Sequence, residues 1–340
     1  MLTHLPSAAF ALLPVLLFLA ALITLDGYKL LSLTALFGAI GAGVLIAGAS
    51  YPVNAFLLRH LGIDIVSFSR YVAPLSEELL KGLVIVALVR AHRVGFLVDA
   101  AIFGFAVGSG FALAENAYYL VLATDAEPGT WIVRGFGTAL MHGGATACFA
   151  VMGLLRVEQS GRINAAAFMP GFVLAALVHA AFNHLNFAPL LATLATLFTV
   201  PALLMLVFQR SEGALRQWLG QGFDADVALL ELIDSGRLAE SPPGRYLASL
   251  KGGLEGPLAL DALRYVRLYT ELALRAKGIL MMRENGFEPR PADDATRARF
   301  AELRQLERRM GPAAQKALRP LLNMRHRELW QLYMLEDGSH

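Results

Sequence analysis

The sequence contains a single cysteine and few charged residues. Cys148 stands alone among 340 residues, so an internal disulfide is excluded, and its apolar neighbours suit a small buried side chain. Charged residues make up 16% of the chain and hydrophobic residues 56%. A typical soluble protein has about 25% charged residues, so this composition indicates a membrane protein.

Several patterns that carry chemistry are also absent. The chain has no polybasic tail, so nucleic acid is not expected as a partner. It contains no HExxH sequence, and its last 130 residues show neither zinc-ligand spacing nor a glycine-rich phosphate loop. No Ser/His/Asp arrangement is evident, because Ser109 lies in a glycine-rich stretch without an assignable base.

The charges are unevenly distributed along the chain. Residues 1–210 contain 10 Lys/Arg and 9 Asp/Glu, whereas residues 211–340 contain 19 and 18. We therefore predict a membrane domain over residues 1–210 and a soluble domain over residues 211–340. Apolar residues at three- and four-residue spacing predict helices in this tail over residues 261–282 and 299–322, with loops at SPPG and GFEPRPADD.

The membrane domain is predicted to be an all-α, polytopic helix bundle. Seven segments have the roughly 20 apolar residues that a span needs, and six to eight spans are compatible with the pattern. The first is read as a retained span, because no Lys or Arg precedes it. Glycines inside several spans predict close helix packing. The predicted spans are 8–25, 31–50, 72–89, 97–122, 131–155, 165–186 and 188–208.

The basic residues of the connecting loops predict an orientation. The loops after the third and fifth spans, and the end of the seventh, carry Arg90, Arg93, Arg156, Arg162 and Arg210. The loop TDAEPGT carries none, so the positive-inside rule places it outside and the C-terminal domain in the cytoplasm. Arg59 and Arg70 lie on the opposite side in this scheme.

The third span contains PLSEELLKG, which has three ionisable residues: Glu77, Glu78 and Lys81. Only eight residues follow Lys81 before the span ends, about 12 Å of helix, so these groups must lie within or at the edge of the membrane. Glu77 and Lys81 share a helix face, which makes an ion pair possible. Alternatively, both glutamates only favour a helix N-terminus after Ser76.

Later spans carry further polar groups. Glu115 and Asn116 lie in span four, His142 lies in span five, and His179 and Asn183 share a face of span six. A carboxylate in such a span must be paired, protonated or hydrated. A lone histidine there is more often a hydrogen-bond partner between helices than a catalyst.

These residues also agree in depth. With the helical rise, Glu77, Glu115 and His179 lie about 4–7 Å from their span midpoints, all toward the same face. His142 lies near the midplane, and Asn183 lies further out on that side. This agreement predicts one shared, water-accessible pocket.

Four short sequences in separate spans carry a family resemblance: EELLK, FALAEN, MHGG and HAAFN. Together, over about residues 60–200, they resemble the PrsW family of bacterial intramembrane proteases, which is related to the CAAX prenyl endopeptidase and abortive-infection group. The resemblance implies hydrolysis of a peptide bond in a membrane-anchored protein, such as a single-pass anti-sigma factor. It also implies a multi-pass protein of the bacterial inner membrane, in contact with the lipid bilayer.

The resemblance implies catalytic roles for Glu77, Glu78, His179 and Asn183. Glu77 would act as base toward water and then as acid, and Glu78 would hold its geometry or share a proton. His179 and Asn183 would polarise the scissile carbonyl or hold the oxyanion. Lys81 would neutralise the carboxylates. The supporting positions are Lys81, Glu115, Asn116 and His142.

The cofactor stays open between two versions. In one, glutamate activates water without a metal. In the other, Glu115, His142 and His179 bind Zn²⁺ and leave one coordination position for water.

Two other classes of function are compatible with the residues. Intramembrane Glu and His also relay protons or ions in transporters, although no inverted repeat is visible here. The same cluster could instead only lock helices together in a non-catalytic scaffold.

Overall fold

The computed structural model describes residues 5–25, 31–122, 127–185, 188–250, 256–288, 293–322, 324 and 326–337. These residues form helices and no strands, which confirms the predicted all-α class. The chain separates into two compact units, Met1–Glu212 and Gly213–His340. The division falls within one long helix.

The described residues form thirteen α-helices, numbered in chain order, two π-helical segments, π1 and π2, and a 3₁₀ turn at Arg237–Glu240. They are α1 Leu5–Leu25, α2 Leu33–Leu61, α3 Ile65–Ser67, π1 Phe68–Val72, α4 Ala73–Arg90, α5 Leu97–Leu122, α6 Pro128–Ile132, π2 Val133–Thr138, α7 Ala139–Ser160, α8 Ala165–His184, α9 Pro189–Asp234, α10 Pro242–Leu250, α11 Gly256–Glu284, α12 Asp294–Leu322 and α13 His326–Asp337.

Among the described residues, five helical segments are long and apolar enough to cross a membrane. They are Leu33–Leu61, Leu97–Leu122, Gly129–Ser160, Ala165–His184 and Pro189–Asp234. The first predicted span contains a shorter apolar helix, Ala9–Thr24. The third coincides with α4, whose 18 residues include the three charged groups of PLSEELLKG. The number of spans therefore stays a prediction.

Local sequence signals explain where several helices begin and end. Ser32 caps α2 by accepting a hydrogen bond from the Ala35 amide, and Asn164 caps α8 in the same way from Ala167. Gly62 and Gly161 end α2 and α7 with left-handed backbone angles (φ 63° and 65°), which glycine adopts without a steric penalty.

Helix α5 occupies the centre of the first unit, where it packs against α1, α2 and α7. A Cβ atom added to Gly108 of α5 would lie 2.2 Å from the carbonyl oxygen of His142 on α7. The two backbones approach this closely only because position 108 has no side chain. Helix α8 packs on α7 and α4, so four helices that carry predicted site residues meet in one region.

In the described part of the chain, two of the four helices with predicted site residues follow a segment of π-helix. The segment π1 leads into α4, and π2 leads into α7. A π-helical turn weakens the regular hydrogen-bond ladder and shifts the following side chains, and such turns are frequent at functional sites.

The second unit is a helical assembly in which α11 packs against α12 and α13. Its predicted helices at 261–282 and 299–322 lie within α11 and α12, as expected. The nearly buried Lys277 of α11 pairs with Asp226 at 2.5 Å, and the indole of Trp218 donates to Glu328. The cytoplasmic location of this second unit stays a prediction.

One predicted loop is wrong and two others are described only in part. SPPG was expected to be a loop, but α10 begins at Pro242, since proline suits the first helical turn and the Ser241 hydroxyl accepts from the Gly244 amide. In GFEPRPADD, residues 286–288 and 293 are not helical, and residues 289–292 lie outside the described part. In TDAEPGT, residues 124–126 lie outside it, and α6 begins at Pro128.

Candidate functional site

The ammonium group of Lys81 lies in a buried ion pair on α4. Its Nζ atom is 2.5 Å from Oε1 of Glu78, and both side chains are almost fully excluded from solvent. We had considered Glu77 as its partner because the two residues share a helix face. The structure pairs Lys81 with Glu78 instead, since Glu77 faces α2 and is held there by Asn54.

His142 on α7 lies between a cation and a carboxylate. Its Nδ1 atom is 3.0 Å from Lys81 Nζ, and its Nε2 atom is 3.0 Å from Oε2 of Glu115. An ammonium group only donates and a carboxylate only accepts, so Nδ1 is the acceptor and Nε2 carries the proton. This hydrogen bonding makes His142 the link between α4 and α5.

His179 on α8 is oriented by Glu78. Its Nδ1 atom donates to Oε1 of Glu78 at 2.9 Å, which leaves Nε2 without a proton in the neutral ring. The unprotonated Nε2 faces Oε2 of Glu77 at 3.9 Å. The rings of His179 and His142 also meet edge to face, with centroids 4.7 Å apart.

Two hydrogen-bond acceptors therefore face each other across a short gap. Glu77 Oε2 and His179 Nε2 are too far apart for a direct hydrogen bond, and neither has a proton to share while Glu77 is ionised and the His179 ring is neutral. Such a pair attracts a group that can satisfy both acceptors, namely a water molecule that donates to each, or a cation. Glu77 and His179, both predicted site residues, thus lie around one position that a water molecule or a cation can occupy.

Arg134 belongs to the same cluster, and the sequence analysis missed it. It lies in π2, with its guanidinium 3.2 Å from Glu115 and above the ring of Tyr119. Its Nε atom donates to the side-chain oxygen of Asn116. The sequence did contain a signal for this residue, because a lone arginine inside the apolar fifth span needs a buried partner.

The two predicted asparagines contact the π-helical segments. Asn183 donates to the carbonyl of Ser69 in π1 at 2.8 Å. Asn116 donates to the carbonyl of Ala11 on α1 at 2.9 Å and lies 3.4 Å from the Arg134 carbonyl in π2. The roles that we assigned to them, oxyanion support and general support, stay predictions.

A group of three residues among those described could hold a metal ion: Glu77, His142 and His179, each with a ligand atom within 4.8 Å of the others. The sequence-based set had Glu115 in place of Glu77. In the structure, Glu115 is the hydrogen-bond partner of His142 Nε2. Its donor types, two histidine nitrogens and one carboxylate, are ones that zinc takes, and Glu78 accepts a hydrogen bond from the other ring nitrogen of His179.

Of three comparisons with known proteins, the one with family models gives a match. A family model described as PrsW family intramembrane metalloprotease matches residues 27–208, which is more than half of the chain. The match includes α4, α5, α7 and α8 with all of the predicted site residues, and it confirms the resemblance seen in the sequence. No curated protein and no solved structure matches the chain significantly. The chain belongs to the PrsW family of intramembrane metalloproteases, and it is an intramembrane endopeptidase.

Proposed function

We propose that the chain cleaves a membrane-anchored protein with a water molecule held between Glu77 and His179. The observation that supports this is the pair of facing acceptors, Glu77 Oε2 and His179 Nε2, 3.9 Å apart. A water molecule between them donates one hydrogen to each, so its lone pairs point away from both side chains. That is the orientation which a nucleophile needs toward a carbonyl carbon.

Glu77 acts as base and then as acid. It takes a proton from the water as the oxygen attacks the scissile carbonyl, and it returns that proton to the amine as the carbon–nitrogen bond breaks. Its side chain is only 15% exposed, so few solvent molecules compete for its proton.

Glu78 and Lys81 hold the site without reacting. Glu78 accepts from both Lys81 and His179, and this fixes the proton of His179 on Nδ1. Lys81 balances the charge of Glu78 in a region where an unpaired carboxylate would be strongly destabilising. The amide of Asn183 has a second N–H besides the one donated to Ser69, and we assign that N–H to the oxyanion.

Glu77, His142 and His179 are the residues that would hold zinc. The ion, when bound, supplies a Lewis acid that polarises the carbonyl and makes water more acidic. His142 would then have to release Lys81 from its Nδ1 atom, because Nε2 is occupied by Glu115.

The proposed substrate is a single-pass membrane protein, for example a regulator such as an anti-sigma factor, in the bacterial inner membrane. The class follows from the family, and the positive-inside pattern supports a cytoplasmic position for residues 211–340. Transport and a purely structural role are the alternatives compatible with the sequence, and membership of a protease family favours proteolysis over both.

The test is cleavage of end-labelled single-span proteins by the purified chain in detergent. Glu77→Gln and His179→Ala should each reduce the rate by about 10²–10⁴-fold, the usual contribution of general acid–base catalysis. The matched control is Glu127→Gln, which changes an exposed carboxylate next to α6 and should leave the rate unchanged. A Glu77→Gln protein that cleaves at the wild-type rate would exclude this mechanism.

A further inference from the structure

Asn54 on α2 contacts the proposed catalytic base. Its Nδ2 atom donates to Oε1 of Glu77 at 2.9 Å, and helices α2 and α4 pack against each other at this level. Asn54 lies outside the four short sequences that carry the family resemblance, and its position on a separate helix gives no hint of this contact.

A second hydrogen bond holds the other end of the Asn54 amide. The hydroxyl of Ser76, the residue before Glu77, lies 2.5 Å from Asn54 Oδ1. The reverse amide orientation would put Oδ1 against the Glu77 carboxylate, so two acceptors would face each other. The Glu77 carboxylate therefore selects the orientation with the N–H group toward Glu77, and in this orientation the Ser76 hydroxyl donates to Oδ1.

The hydrogen bond from Asn54 gives the two oxygens of Glu77 different surroundings. Oε1 is occupied by the amide of Asn54, and Oε2 remains directed at Nε2 of His179. The amide also holds the carboxylate back from His179, which preserves the 3.9 Å separation at which a water molecule beside the two atoms can donate to both. Without that donor, the carboxyl group could rotate or move onto the imidazole and close the gap.

From this geometry we infer that Asn54 is a positioning residue for the hydrolysis, which holds Glu77 in the orientation that its action as base requires. The inference rests on the proposed function, because it assigns Asn54 a purpose in that reaction. Asn54 acts through Glu77 and does not touch the substrate.

Kinetics supply the first part of the test. Asn54→Ala, and the isosteric Asn54→Asp, should lower kcat by about 10- to 100-fold, the effect of one hydrogen bond to a charged group, and leave KM within about twofold. Ser76→Ala should have a smaller effect, and it should add nothing in the Asn54→Ala background, since both changes act through one contact. Asn164→Ala is the control: it removes the cap of α8 and should lower stability while kcat of the folded protein stays unchanged.

Infrared difference spectroscopy supplies the second part and does not depend on the substrate. Asn54→Ala should shift a carboxylate stretching band in the wild-type background, and the shift should be missing when Glu77→Gln is already present. The inference would be overturned if Asn54→Ala caused the same band shift in both backgrounds. It would also be overturned if Asn54→Ala raised KM or lowered thermal stability while kcat stayed unchanged. If Glu77→Gln itself cleaves normally while the band shift is present, the contact is upheld and the proposed function has failed.

Discussion

The ammonium group of Lys81 and the carboxylate of Glu78 form an ion pair in the interior of the helix bundle, with 2.5 Å between Nζ and Oε1. Burying two charges removes them from water, and their attraction offsets this only while both are present. The pair is also the point at which the hydrogen bonds of His142 and His179 meet. Changes to this ion pair should therefore affect both the stability of the fold and the proposed hydrolysis.

We predict that Lys81→Met is more destabilising than the double change Lys81→Met/Glu78→Gln. The single change leaves a buried carboxylate without its cation, for which about 3–5 kcal/mol is typical, whereas the double change removes both charges. Denaturant unfolding in detergent measures the difference. Both variants should cleave substrate more slowly, because Lys81 no longer holds the side chain at position 78 that accepts from His179. A double variant as unstable as the single one would contradict this account.

Metal content should follow the group Glu77, His142 and His179. If the zinc version holds, the purified protein should bind about one zinc ion per chain, and His179→Ala should bind at least about tenfold more weakly, because a histidine ligand contributes strongly to affinity. Elemental analysis after dialysis against zinc measures both. His184→Ala is the control, since its Nδ1 atom bonds the Ala180 carbonyl. Full activity in protein that has been stripped of zinc would instead establish the metal-free version.

The close approach of α5 and α7 should make Gly108 intolerant of any side chain. In Gly108→Ala the new methyl would meet the His142 carbonyl oxygen, a backbone atom that cannot move aside alone, so we expect a loss of about 1–3 kcal/mol and displacement of His142. Thermal unfolding and cleavage rate measure the two effects.

Gly38→Ala is the matched control for this prediction. Gly38 lies inside α2, and a Cβ atom there would meet nothing within 4 Å. Alanine favours the helix over glycine, so the variant should be as stable as the wild type or slightly more stable. Equal destabilisation by the two changes would show that helix contact at position 108 is not the cause.

The stability of α12 should depend on pH through Asp293. Hydrogen bonds from the hydroxyl and the amide of Thr296 lower the pKa of Asp293 from its ordinary value of 3.8 to about 2. A carboxyl with a lowered pKa in the folded state contributes stability above about pH 4, and that contribution is lost as the pH falls through about 2. The wild type should therefore be more stable than Asp293→Ala at neutral pH, and the difference should disappear near pH 2.

Amide hydrogen exchange at the first turn of α12 measures the stability difference between wild type and Asp293→Ala at each pH. Asp294→Ala is the control, because Asp294 is almost fully exposed and contacts only Arg297 among the ion pairs of the described chain. If the stability difference between wild type and Asp293→Ala stayed constant from pH 7 to pH 2, the hydrogen bonds between Thr296 and Asp293 would be excluded as its source.

Much of the architecture could be predicted because it depends on local patterns. Runs of apolar residues specified the helices, and the positions of Glu77, Glu115, His142 and His179 within their spans indicated that they would meet. The number of spans was less certain, since α4 contains four charged residues, and length and composition alone cannot place such a helix in a membrane. The π-helical segments were not foreseen, because they depend on how neighbouring helices hold the backbone.

The sequence by itself determined that this is a helical membrane protein with carboxylates and histidines at one depth. Only the tertiary structure decided that Lys81 pairs with Glu78, that Asn54 holds Glu77, and that Arg134 joins Glu115. The reason is geometric. Sequence spacing specifies which face of a helix a side chain occupies, whereas the partner it meets depends on how adjacent helices are rotated and how closely they approach.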